Sequence, residues 1–139
     1  MIDDVLINKS EIIARCIQRV NEEYESNPIN LEDFRRQDSI ILNLQRLCEA
    51  SINIATHLIR KRRLGVPQSS KDAFSILEKA QIIPKELSQR LQAMVGFRNI
   101  AVHEYQSLNL SIVQVIVEKH MYDGLELVKI INELVPTSK

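Results

Sequence analysis

The chain of 139 residues is long enough to bury one core but not two, which sets a single domain over 1–139 as the expectation. Trp is absent, Phe and Tyr number three each, and Gly and Pro number only three and four. The core must therefore be aliphatic, and the turns are too few for a sandwich or barrel of many short strands. Eighteen basic residues balance eighteen acidic ones, which excludes a broad electrostatic footprint on nucleic acid but not a small site touching one or two phosphates.

The apolar runs are far shorter than the roughly 20 residues that cross a bilayer, so no membrane contact is expected. Met1-Ile2-Asp3-Asp4 is acidic where a secretory signal would be basic, which points to the cytoplasm. Cys16 and Cys48 lie on apolar helical stripes outside any CxxC and read as buried free thiols in a reducing compartment.

Residues 3–25 carry Val5, Ile13, Cys16, Ile17, Val20 and Tyr24 at helical spacing, and Asn27-Pro28 ends the pattern. A second helix over about 31–62 places Phe34, Ile41, Leu44, Leu47, Cys48, Ala55, Leu58 and Ile59 on a face wide enough for a central element covered on more than one side. It ends in Arg60-Lys61-Arg62-Arg63, a basic run that the negative helix terminus favours without any ligand. Ser69-Ser70-Lys71-Asp72 caps a short third helix with Phe74, Leu77 and Ala80. Ile83-Pro84 opens a fourth, running through Leu87, Leu91, Met94 and Val95. Asn109 caps a fifth over about 110–134, whose start is rich in β-branched residues but whose Tyr122, Leu125, Val128, Ile131 spacing favours helix. The expected fold is all-α, an up-and-down bundle of about five helices.

Signatures of the P-loop, the dinucleotide fold and the nucleophile elbow are absent, and neither His57 nor His120 has a partner at metal-ligand spacing. The segment Arg98-Asn99-Ile100-Ala101-Val102-His103-Glu104-Tyr105 stands apart. On a helical wheel Leu87, Leu91, Met94, Arg98, Val102 and Tyr105 share one face, so Arg98 continues a core stripe and needs a partner for its charge. Gly96, unfavourable inside a helix, suggests close approach of a backbone or ligand. Asn99 and His103 form an i, i+4 pair in which the amide would orient the imidazole, and the negative helix end favours a cationic ring. Arg98 and His103 diverge by about 140° around one helix. A two-fold dimer, which duplicates every group at its interface, is the simplest way to bring an Arg and a His together. The spacing alone leaves a second reading open, with Arg98 paired to a carboxylate and His103 a surface residue.

Arg98, four residues, His103, one residue and Tyr105, with Asn99 directly after the Arg and Gly96-Phe97 before it, resembles the RX4HXY signature of the HepT toxins in the HEPN superfamily. The segment from Asp38-Ser39-Ile40-Ile41 and the helix order extend the resemblance over most of the chain. It implies a homodimeric, metal-independent endoribonuclease toxin of a type VII-like toxin–antitoxin pair, with an MntA-type minimal nucleotidyltransferase as partner and RNA as substrate. It also implies that Arg98 and His103 are catalytic, Asn99 supports them, and Tyr105 receives nucleotide from the partner. The chemistry is consistent: an imidazole suits removal of the 2′-hydroxyl proton, and a planar guanidinium suits the charge on the phosphorane. No cofactor and no metal are expected. The alternative is a non-catalytic subunit that docks on a nucleotidyltransferase and holds nucleotide or RNA without cutting it.

Overall fold

The computed structural model describes residues 3–134. They form α1 (Asp4–Tyr24), α2 (Phe34–Arg62), α3 (Ser70–Lys79), α4 (Lys85–His103), α5 (Leu110–Val115) and α6 (Asp123–Leu134), and no strand occurs among them. Each start has a local cause. Asp3, Asp33, Ser69 and Asn109 accept hydrogen bonds from the first free amides of α1, α2, α3 and α5, and Pro84 precedes α4 without a side-chain cap. α1 and α2 both end on residues in the left-handed region, Glu25 and Arg63.

α2 is the central element expected from its wide apolar face: it packs against α1, α3, α4 and α6. Ile40, Ile41, Leu44, Leu47, Ile54 and Ile59 are fully buried along it. Phe34, placed on that face by the sequence pattern, is instead 78% exposed, because it opens the helix before α2 enters the bundle. Val5 likewise faces outward, and Leu6 takes its place in the core.

The fifth helix is not continuous. α5 passes into a wider π turn at Ile116–His120, and α6 begins after a break at residues 121–122. The π turn presents Glu118 to the hydroxyl of Tyr24 on α1, and burial together with that carboxylate pushes the Tyr24 phenol up to about 12. α6 then meets α2 at Gly124, where a Cβ would lie 2.9 Å from Ser51 Oγ. Only glycine permits that approach, a constraint the periodicity did not announce.

Candidate functional site

α4 carries Arg98 and His103 on its last two turns, and His103 is its final residue. Glu104 leaves helical geometry with φ −143° and ψ 53°, so Tyr105 starts a separate 3-10 turn, Tyr105–Ser107. The helical wheel that put Val102 and Tyr105 on the core face therefore fails beyond Met94 and Arg98: Val102 and Tyr105 are both exposed.

Arg98 is the buried end of the motif, its side chain 16% exposed. Three neighbours hold its guanidinium. Nη1 donates to Glu49 Oε2 at 2.5 Å, Nη2 to Ser70 Oγ at 3.4 Å, and Nε to Asn99 Oδ1 at 3.0 Å. These use three of the five N–H groups and leave two for an incoming anion. The i, i+4 pairing expected between Asn99 and His103 is not made; the Asn99 amide turns back to Arg98. His103 is exposed, and its imidazole has no hydrogen-bond partner among the described residues. Arg98 and His103 are thus adjacent in sequence but not joined.

Beneath Arg98 lies Cys48, whose thiol burial drives up to about 12 although the nearby guanidinium pulls the other way. It stays a neutral packing residue, as does the buried Cys16. Tyr105, 38% exposed, donates its phenol proton to Asp38 Oδ1 at the start of α2. Burial, followed by the Asp38 hydrogen bond and charge, pushes this phenol up to about 12. Asp38 and Glu49 are eleven residues apart, so they lie within about 20° of each other on α2 and about 16 Å apart along it. One edge of α2 therefore holds both ends of the motif. Sequence reasoning left open that Arg98 pairs with a carboxylate but assigned neither Glu49 to Arg98 nor Asp38 to Tyr105, because the partners are 49 and 67 positions apart.

Two grooves lie near the motif, one beside Glu49 and one along α4. Between α1 and α2, Lys9, Arg15, Arg19 and Arg46 line a groove of about 470 Å³ that Glu49 also borders. None of the four cations joins an ion pair among the described residues. Between α4 and α5 runs a larger, mostly apolar groove of about 930 Å³, lined by Ala93, Gly96, Ile100, Ile112 and Val115 and ending at His120. A Cβ on Gly96 would meet only the tip of Lys71, at 3.6 Å, so nothing within the chain requires glycine there. The approach that Gly96 suggested would have to come from outside.

The remaining histidines are structural neighbours of acids. His57 Nε2 lies 2.9 Å from Asp3, and His120 Nδ1 lies 3.7 Å from the buried Asp123, whose other oxygen takes the Arg90 guanidinium. Among the described residues no three His, Cys, Asp or Glu side chains converge to hold a metal ion, and no helix is long and apolar enough to cross a membrane.

The pattern of known proteins follows the same boundaries. The family described as Ribonuclease HepT-like matches residues 10–131. The chain belongs to that family. It is 48% identical over 130 residues to the mRNA nuclease HepT of Shewanella oneidensis, covering 94% of this chain and 98% of that protein. It is 30% identical over 111 residues to the tRNA nuclease HepT of Aphanizomenon flos-aquae, covering 78% and 75%. The fold superposes with a TM-score of 0.90 on tri-AMPylated Shewanella oneidensis HEPN toxin in complex with MNT antitoxin, at 47% identity over 95% of this chain and 99% of that one. The matched residues run from within α1 to within α6.

Proposed function

We propose that this protein is the toxin of a HEPN/MNT toxin–antitoxin pair, an endoribonuclease that acts on RNA in the cytoplasm without a metal ion and is silenced by a minimal nucleotidyltransferase of the MntA type. The observation that carries this reading is the Arg98 guanidinium, fixed on three sides with two N–H groups unspent. A pre-oriented, permanently charged fork is what a phosphate gaining charge requires. In this reading His103 removes the 2′-hydroxyl proton, Arg98 stabilises the pentacovalent phosphorus, and a second His103 protonates the 5′-oxygen leaving group. Asn99 supports the guanidinium rather than the imidazole. The cations of the smaller groove, next to Glu49 and hence to Arg98, receive flanking phosphates of the RNA strand.

The active species in this proposal is a homodimer. Ile100, Ile112 and Val115 are exposed beside the motif, and a second copy seated in the larger groove would cover them and bring a second His103 within reach of the site. Tyr105 is the residue that receives nucleotide, because it is an exposed phenol two residues after His103, where an added nucleotide would stand in the way of RNA at the motif.

One observation favours the other reading, a non-catalytic subunit that binds RNA or nucleotide: among the described residues His103 has no group to orient it. Incubating the purified protein with RNA separates the two. Cleavage is expected to persist in EDTA, to leave 2′,3′-cyclic phosphate or 3′-phosphate ends, and to vanish in His103→Ala. Binding without cleavage would establish the alternative, and activity restored only by Mg²⁺ would refute the metal-free mechanism.

A further inference from the structure

Tyr105 is poorly prepared to react alone. Its phenol is held at about 12 against an ordinary value of 10, so spontaneous phenolate near neutral pH is roughly a hundredfold scarcer than for a free tyrosine. A nucleophile in this state attacks efficiently only if its proton leaves as the new bond forms, and that needs a base in contact with the oxygen. One group is in contact. Asp38 accepts the phenol hydrogen bond, is itself exposed on the first turns of α2, and joins no ion pair among the described residues. Its basic neighbour Arg36 is committed elsewhere, to the Glu23 carbonyl and the Glu25 carboxylate. Among the described residues no ion-paired cation competes with Tyr105 for the Asp38 carboxylate.

We infer that Asp38 is the general base for nucleotide transfer to Tyr105, so that this chain brings to the reaction both the nucleophile and the group that activates it. The inference rests on Tyr105 being the acceptor. In the step, Tyr105 Oη attacks the α-phosphorus of a nucleoside triphosphate held by the partner transferase. The new O–P bond forms as the bond from the α-phosphorus to its bridging oxygen breaks, and pyrophosphate leaves with the electron pair. The phenolic proton passes to Asp38 Oδ1 and from there to water. No redox partner is needed, and the products are tyrosyl nucleotide, pyrophosphate and one proton. The same contact explains why an exposed tyrosine stays fixed at the motif: the hydrogen bond aims Oη while keeping it protonated until a phosphorus electrophile arrives.

Labelling by the cognate nucleotidyltransferase with ATP and Mg²⁺, followed by intact mass, tests this on the full chain. Asp38→Asn preserves the size of the side chain and is expected to slow the first AMP addition by about 10²-fold, mainly in kcat, with KM for the toxin little changed. Asp38→Glu, which keeps a carboxylate, is expected to recover a substantial part. The discriminating readout is the pH profile. Without the carboxylate the phenol must ionise by itself, so the wild-type to Asp38→Asn rate ratio should shrink steadily between pH 7 and 9.5. A merely structural role would leave that ratio flat, and an Asp38→Asn variant that labels at the wild-type rate, with the same melting temperature, overturns the inference alone. Wild type that takes no nucleotide, or Tyr105→Phe that labels like wild type, overturns the assignment of Tyr105 and the inference with it.

Discussion

Arg98 and His103 stand five residues apart on α4 and differ in almost every physical respect. Arg98 is largely buried, bonded to Glu49, Ser70 and Asn99, and in place before any ligand arrives. His103 is exposed at the helix terminus, beyond which the backbone leaves the helix, and no described side chain orients it. In the proposed mechanism preorganisation is thus concentrated on the cation that would meet developing charge, where a fixed group is most effective. His103, the proposed proton-transfer group, would be placed by whatever completes the site. A homodimer gives that asymmetry a purpose, since activity then depends on assembly.

The comparison is tested most severely by separating the two residues. Arg98→Ala and His103→Ala should each lower RNA cleavage by at least about 10³-fold without loss of helical content. If each site takes Arg98 from one chain and needs only the one His103 of the other, subunit exchange between the two dead variants regenerates one intact site per heterodimer. An equimolar mixture forms heterodimers in about half of its dimers, so recovery of about a quarter of wild-type activity is expected. Mass spectrometry confirms the exchange and a cleavage assay reads the recovery. No recovery from exchanged heterodimers would show either that both groups act from the same chain or that two intact motifs, with both His103 side chains, are required together.

A smaller effect probes the anchored half alone. Glu49→Gln keeps the length of the side chain but removes the charge opposing Arg98. The guanidinium then retains Ser70 and Asn99, so cleavage should fall by only about tenfold, while melting moves little because Glu49 is half exposed. A loss as large as that of Arg98→Ala would mean that Glu49 itself takes part in proton transfer.

How far the sequence foretold this arrangement depends on the range of the interaction. The order of helices, the caps at Ser69 and Asn109, and the core stripe through Leu44, Leu47, Leu58 and Leu91 follow from local periodicity and capping. Arg98 was marked as a charge in need of a partner because it continued that stripe. What pairs with it, Glu49 on another helix, is decided by packing, as is the Asp38 contact with Tyr105. The wheel misplaced Tyr105 because it assumed a helix running past His103, whereas the chain switches to i, i+3 bonding, with Ser107 N donating to Glu104 O and Leu108 N to Tyr105 O. Neither Gly nor Pro marks that change. The π turn and the contact of Gly124 with Ser51 escaped for the same reason: both register how α5 and α6 lie against α1 and α2.

The smallest expected effect is a control on all of these. Asp3 caps α1 through the Val5 and Leu6 amides and also meets His57 and Lys61 on the far part of α2, eight and twelve residues beyond Glu49. Burial would raise its carboxyl, but the Leu6 amide, His57 and Lys61 outweigh burial and hold it at about 2, below its ordinary 3.8. A depressed acid stabilises the fold where it is ionised in both states, so this contribution is complete above pH 3.8 and drains away as pH falls toward 2. Asp3→Asn, which keeps a capping side chain, should therefore lower stability by about 1 kcal/mol at pH 7, chiefly by removing the charge that ties α1 to His57 and Lys61 on α2. The deficit should narrow steadily in melts taken below pH 4. Cleavage at pH 7 and at a temperature well below melting should be unaffected. Glu49→Gln is expected to do the reverse, changing cleavage and sparing the melt. If Asp3→Asn also suppresses cleavage while the protein remains folded, α2 transmits strain along its length, and the anchored half of the site is less independent of the bundle than its three local bonds imply.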